Sequence, residues 1–340
     1  MKKEDEERAL ELHKKSIIID GLECAPSIGN VGYFDSLIET GVTAGNMTVT
    51  ATYDTPYQAM KKLKAWYDLF EEHSDKVLHV TSGRDIEKAK REGKFGVIMG
   101  TQNADILGDD LGLLSVYKRL GLRIFQLSYY WQNLLGEGCG ERTNGGLSTF
   151  GINAVEELNR LRLVVDISHC GDQVTTDALK YSKAPIMITH ANARGLINHI
   201  RNKTDEQIKT LADKGGIIGL NAWSAMCEVR KGVRPTFEDL LDVADYIVKL
   251  VGPDYVSLGL DMTPFWPLKE YEYWAQLYPS LRAPGGWIER SIFTNKEGID
   301  NISLMPEITK GLVARGYSDQ DIEKILGLNF LRVFKEVCGE

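Results

Sequence analysis

Two stretches decide the fold: "LVVDISH" at residues 163–169 and "PIMITH" at residues 185–190. Each is a short, β-branched, apolar run, the pattern of a buried strand, and each ends on a histidine. Between them, residues 173–181 carry a helical period. A strand, a helix and a second strand of this length make a parallel βαβ unit. Working outward, the same alternation recurs. Strands are expected at 16–20, 44–50, 96–101, 123–129, 163–168, 185–189, 216–221 and 255–260. Helices are expected at 57–73, 85–92, 150–161, 173–181, 205–214 and 236–250. Eight strands, each followed by a helix or a loop, predict an α/β (β/α)8 TIM barrel of 1–340 as one domain, with an N-terminal helix and a long loop 264–300 after the last strand. A doubly wound open sheet is the competing architecture, but no G-x-G-x-x-G or Walker loop follows the first strand.

The 340 residues are 43% hydrophobic and 26% charged, with a net charge of −8. That composition is ordinary for a globular chain and argues against nucleic acid as a partner. Five cysteines (24, 139, 170, 227 and 338) form no C-x-x-C pair, which predicts reduced thiols. No apolar leader or membrane span is legible, so a cytoplasmic location, a small-molecule substrate and no membrane partner are expected.

In a barrel the loops after the strands build the site. The strand ends supply Glu23 and Cys24, Thr48, Gln102 and Asn103, Tyr129 and Tyr130, His169, His190, Asn221, and Asp261. With six histidines in the chain, two at the ends of adjacent strands are informative. Two imidazoles and the Asp261 carboxylate suit zinc or a similar divalent ion with an open position for water. His13, His73 and His79 lie among charged residues and are expected to be solvated; for His199 both settings stay open.

The stretches "RLVVDISHCGD", "APIMITHANAR", "HIRNKTDEQI", "GGIIGLN", "VSLGLDMT" and "ILGLNFLRVF", in this order, resemble the renal or membrane dipeptidases, peptidase family M19 of the amidohydrolase superfamily. The resemblance implies a (β/α)8 barrel with a binuclear zinc site that activates a hydroxide to cleave dipeptides. It implies His169 and His190 as ligands of one metal and Asp261 as a group serving the metal and the reaction proton. Arg201 falls where the family grips a substrate carboxylate, a role suited to a guanidinium fork. The family's first strand ends D-G-H-x-D, whereas this chain has Asp20, Gly21, Leu22, Glu23 and Cys24. Gln102 stands where the third strand should deliver a bridging glutamate, and Tyr129 where the fourth should deliver a histidine. A neutral amide cannot bridge two cations as a carboxylate does.

The expectation is therefore an altered centre with one metal per chain on His169 and His190, completed by Glu23, Cys24, Gln102 or Asp261. Gln102, Asn103 and Tyr129 join Arg201 in contacting substrate. Cys24 reads first as a small buried thiol packed at the strand end, with zinc ligation as the alternative. The expected activity is hydrolysis of an amide C–N bond in a small carboxylate-bearing molecule. A metal-poor or metal-free barrel that binds a ligand or runs another reaction is the alternative. Two loops add to the site. The glycine-rich 133–151 can bring Asn133 or Arg142 over it, and the aromatic-rich 264–287 can line the mouth or meet a second subunit in a homodimer.

Overall fold

The computed structural model describes residues 1–24, 31–264, 268–278, 291–294 and 301–340. Nine parallel strands form its sheet: β1 (Ile19–Glu23), β2 (Ala44–Thr48), β3 (Val77–Val80), β4 (Phe95–Thr101), β5 (Ile124–Gln126), β6 (Val164–Asp166), β7 (Met187–Ile188), β8 (Ile217–Leu220) and β9 (Val256–Leu258). The hydrogen-bonded order is β2-β1-β9-β8-β7-β6-β5-β4-β3. A further ladder from Ala44↔Gly96 to Thr48↔Gly100 joins β2 to β4 and closes the sheet on itself. Eight strands make the ring, a TIM barrel, and they are the eight expected from the sequence.

β3 is a correction to that reading. It pairs with the lower part of β4, from Val77↔Phe95 to Val80↔Ile98, and β5 takes over the same edge at Gly100 and Thr101. Four residues with His79 among them carry too little apolar pattern to stand out. The first strand also runs 19–23 rather than 16–20. Ser16 instead ends the N-terminal helix, its hydroxyl donating to the Leu12 carbonyl at 2.6 Å.

The helices fall close to their expected bounds because their caps are written in the sequence. Pro56–Glu72 and Asp205–Asp213 open on capping boxes, Thr55 with Gln58 and Thr204 with Gln207. Inside the ring, Ile19, Ile98, Ile124, Val164, Met187 and Ile217 form one apolar layer with Phe330, Val333 and Phe334 of the last helix, Asn329–Cys338. That helix plugs the N-terminal end of the barrel, so the site must open at the other end.

Two histidines expected in solvent are not there. His13 lies on the buried face of helix Lys3–Lys15, with Nδ1 2.7 Å from the Thr309 hydroxyl and Nε2 2.9 Å from the Thr40 carbonyl. His79 stacks on Phe70 with ring centroids 4.6 Å apart. Beside His13 the charged neighbours Lys14 and Lys15 are exposed while the imidazole turns inward, which the local composition alone conceals. No helix among the described residues is long and apolar enough to cross a membrane.

Candidate active site

β1 carries an irregularity where its register with β2 shifts between Asp20 and Glu23. Bulges of this kind re-aim side chains beside active sites. Here Asp20 turns its Oδ1 onto the backbone N–H groups of Leu22 (3.1 Å) and Leu260 (2.8 Å), tying β1 to the end of β9. Burial, with the Asp261 carboxylate nearby, pushes the Asp20 carboxyl up to about 7. Glu23, fully buried, accepts the Tyr33 hydroxyl at 2.6 Å.

The neighbouring thiol joins three elements. Gln102 Nε2 donates to Cys24 Sγ at 3.3 Å and to the Thr48 hydroxyl at 2.9 Å, and Cys24 Sγ donates to Asp261 Oδ1 at 3.5 Å. Burial first, then the charge of Asp261, raises the Cys24 thiol well above its ordinary range, so it remains a thiol and not a thiolate. Asp261 itself has left-handed backbone (φ +59°), a region aspartate enters more readily than most residues. Its Oδ2 accepts from Asn221 Nδ2 at 3.3 Å. The Asn221 amide is oriented by the Trp223 N–H on its Oδ1 at 2.6 Å. The structure thus brings Glu23, Cys24, Gln102, Asn221 and Asp261 together from the ends of β1, β4, β8 and β9.

The two histidines stand 5.0 Å apart between ring centroids, both buried. Burial, then the positive charge of Arg201, depresses both imidazoles well below their ordinary range, so they are neutral. His169 Nδ1 and Nε2 and His190 Nε2 have no hydrogen-bond partner among the described residues. Buried polar atoms are rarely left so, and neutral imidazole nitrogens are the donors a divalent ion takes. The pair therefore fits one such ion. Among the described residues, however, no group of three or more His, Cys, Asp or Glu side chains is placed to hold one.

Tyr129 stacks on His169 with centroids 3.9 Å apart, and Tyr278 meets Tyr129 edge-on at 6.2 Å. Tyr53, 5.4 Å from Trp131 and stacked on it, extends this aromatic wall towards solvent. Tyr278 lies in the aromatic stretch 264–287, which is not all loop as expected but carries a helix, Leu268–Leu277; of that stretch 265–267 and 279–287 lie outside the described residues. Of the glycine-rich loop, Asn133 reaches the site: its Nδ2 donates to Asn103 Oδ1 at 2.7 Å and to the Leu127 carbonyl at 2.8 Å. Arg142 remains exposed. Arg201 is almost fully buried. It donates through Nη1 to the Ser168 carbonyl and through Nη2 to the His190 carbonyl at 2.9 Å, bracing both histidine-bearing strand ends.

Sequence reasoning missed the polar layer beneath the histidines. Asp166 accepts Ser168 and Thr189, and Lys203, lowered to about 8 by burial, donates to the Cys170 carbonyl (2.7 Å) and Thr175 hydroxyl (3.0 Å). The signal was present: each strand-end histidine follows a hydroxyl residue, Ser168 or Thr189.

The solved structure of an amidohydrolase from Pseudomonas aeruginosa superimposes with a TM-score of 0.85 at 34% identity, covering 98% of this chain and 99% of that one. The probable dipeptidase PvdM of the same organism shares the fold, with a TM-score of 0.81 at 22% identity, 99% of each chain being covered. Dipeptidase tcpJ of Claviceps purpurea is 28% identical over 273 residues, 79% of this chain, and that match spans 57% of the relative's length. The model of the membrane dipeptidase family, peptidase family M19, matches residues 6–281 and 285–339, and the chain belongs to that family.

Proposed function

We propose that the protein is a hydrolase that cleaves the amide C–N bond of small dipeptide-like molecules bearing a free carboxylate, with one divalent metal held by His169 and His190. The observation that carries this reading is the pair of buried, neutral imidazoles whose three ring nitrogens find no hydrogen-bond partner among the described residues. Bound there, a divalent ion such as zinc would polarise the scissile carbonyl and supply a nucleophilic water. Asp261 takes the proton released as water attacks and returns it to the leaving amine nitrogen as the C–N bond breaks. Asn221 and Cys24 hold its two oxygens in place for that exchange. Arg201 provides the fixed positive charge that attracts the substrate carboxylate. Tyr129, with Gln102, Asn103 and Glu23, shapes the pocket and restricts water.

Gln102 and Leu22 supply no anionic donor, and the Cys24 thiol is already engaged by Gln102 and Asp261. These observations support a single ion and not a pair. The missing three-donor group among the described residues favours one further reading, a barrel that binds its ligand without metal-dependent turnover.

The test is metal content per chain by elemental analysis of protein purified without an affinity-metal step, alongside hydrolysis of a dipeptide panel. One metal per chain, lost together with turnover in His169→Ala, is the expected result. Two metals per chain overturn the single-ion reading. Turnover that survives thorough chelation, or none with zinc supplied, overturns the metal-dependent hydrolase.

A further inference from the structure

We propose that Asp166 and Thr189 are positioning residues that hold His190 as its Nδ1–H tautomer, leaving the Nε2 lone pair free of a proton. Four donors converge on the Asp166 carboxylate. Its Oδ1 accepts the Ser168 N–H (2.9 Å), the Ser168 hydroxyl (2.5 Å) and the Thr189 N–H (3.2 Å), and its Oδ2 accepts the Thr189 hydroxyl at 2.6 Å. A hydroxyl has a single proton to give. With that of Thr189 committed to Asp166, Oγ1 turns only lone pairs to His190 Nδ1, 2.8 Å away. The imidazole must then be the donor in that contact, and its one proton sits on Nδ1. Nε2, buried and without a partner among the described residues, is left as the ligating nitrogen.

The surrounding backbone holds this chain in place. The His190 N–H donates to the Ser168 hydroxyl at 3.1 Å, and Arg201 holds the His190 carbonyl at 2.9 Å. A Cβ at Gly21, Gly219 or Gly259 would collide with the Thr189 carbonyl, so these three glycines let the neighbouring backbone close on that carbonyl. Among the described residues His169 has no such chain. Tyr129 sets its ring plane by stacking, and neither of its nitrogens has a hydrogen-bond partner among the described residues. The pair is therefore asymmetric: His190 is preset for a ligand at Nε2, and His169 adjusts its tautomer on binding. Groups beyond the ligand commonly orient metal-binding imidazoles in this way.

The tautomer is read from the ring nitrogens by ¹H–¹⁵N correlation spectra of ¹⁵N-histidine-labelled, chelator-treated protein. The His190 signals are identified by their loss in His190→Gln. The wild-type spectrum should show a protonated Nδ1 and a pyridine-like Nε2 for His190. Thr189→Val, isosteric without the hydroxyl, should abolish that preference, and Thr189→Ser should retain it. Zinc affinity by chelator competition should fall about 10- to 100-fold in Thr189→Val and stay within about threefold in Thr189→Ser. A wild-type His190 protonated on Nε2, or an unchanged tautomer in folded Thr189→Val, overturns the proposal. If Thr189→Val does not fold, the wild-type and Thr189→Ser spectra decide. Only the use of the lone pair rests on the function proposed above. The expected tautomer with no zinc bound by any variant would support this inference and overturn the metal reading alone.

Discussion

Gln102→Glu restores by one atom the carboxylate that the family places at the end of the third barrel strand, and the structure sets its consequence. Gln102 Nε2 is 3.3 Å from Cys24 Sγ, which is 3.5 Å from Asp261 Oδ1. The introduced carboxylate therefore lies at most about 7 Å from Asp261, and at an effective dielectric near 20 the repulsion is about 2 kcal/mol. The Cys24 thiol has one proton and can donate to only one of the two carboxylates, so it does not offset the effect. A carboxyl whose folded pKa is raised loses stability as pH rises. The penalty should be absent at about pH 4, grow towards about pH 6 and persist above it. The assay is urea denaturation of wild type and Gln102→Glu in the presence of a chelator, at intervals from pH 4 to pH 8. A variant within about 0.5 kcal/mol of wild type at pH 7 would refute the arrangement that places Gln102, Cys24 and Asp261 in one chain of contacts.

Three further outcomes follow from single residues. Arg201→Met strips the Ser168 and His190 carbonyls of their shared donor and should cost about 3 kcal/mol in denaturation experiments; a loss below about 1 kcal/mol would show that Arg201 does not brace these strand ends. His13 is held below its ordinary 6.5 by burial, so the folded state loses stability as pH falls below about 6.5. His13→Leu should make that decline shallower, by up to about 1.4 kcal/mol per pH unit, and an unchanged slope counts against the buried setting of His13. Tyr129→Ala removes the ring stacked on His169, should cost about 3 kcal/mol, and should speed modification of His169 by diethyl pyrocarbonate; equal modification rates would mean that the ring does not shield it.

The barrel was legible because its signals are local. An apolar run of strand length, a capped helix of 3.6 period and another such run constrain their own backbone, and eight strands in series leave few ways to close. The strand-end histidines were legible for the same reason: a residue directly after a parallel strand sits on the functional face wherever the strand lies in the ring. Short β3 escaped notice because its four residues find their partner only in β4, and His13 because the helix that buries it, Met305–Ala314, is far away in sequence.

The site's chemistry lies wholly in such distant encounters. Cys24 meets residues 78 and 237 positions away, and Asp166 reaches His190 through a threonine 23 positions on. The amino-acid sequence by itself determined which groups stand at the mouth of the barrel. Which of them are charged, which nitrogen carries a proton and which atoms remain open to a ligand were decided by the tertiary structure. Ionisation and hydrogen bonding depend on burial and on the nearest dipoles, and in a closed barrel those neighbours come from other strands.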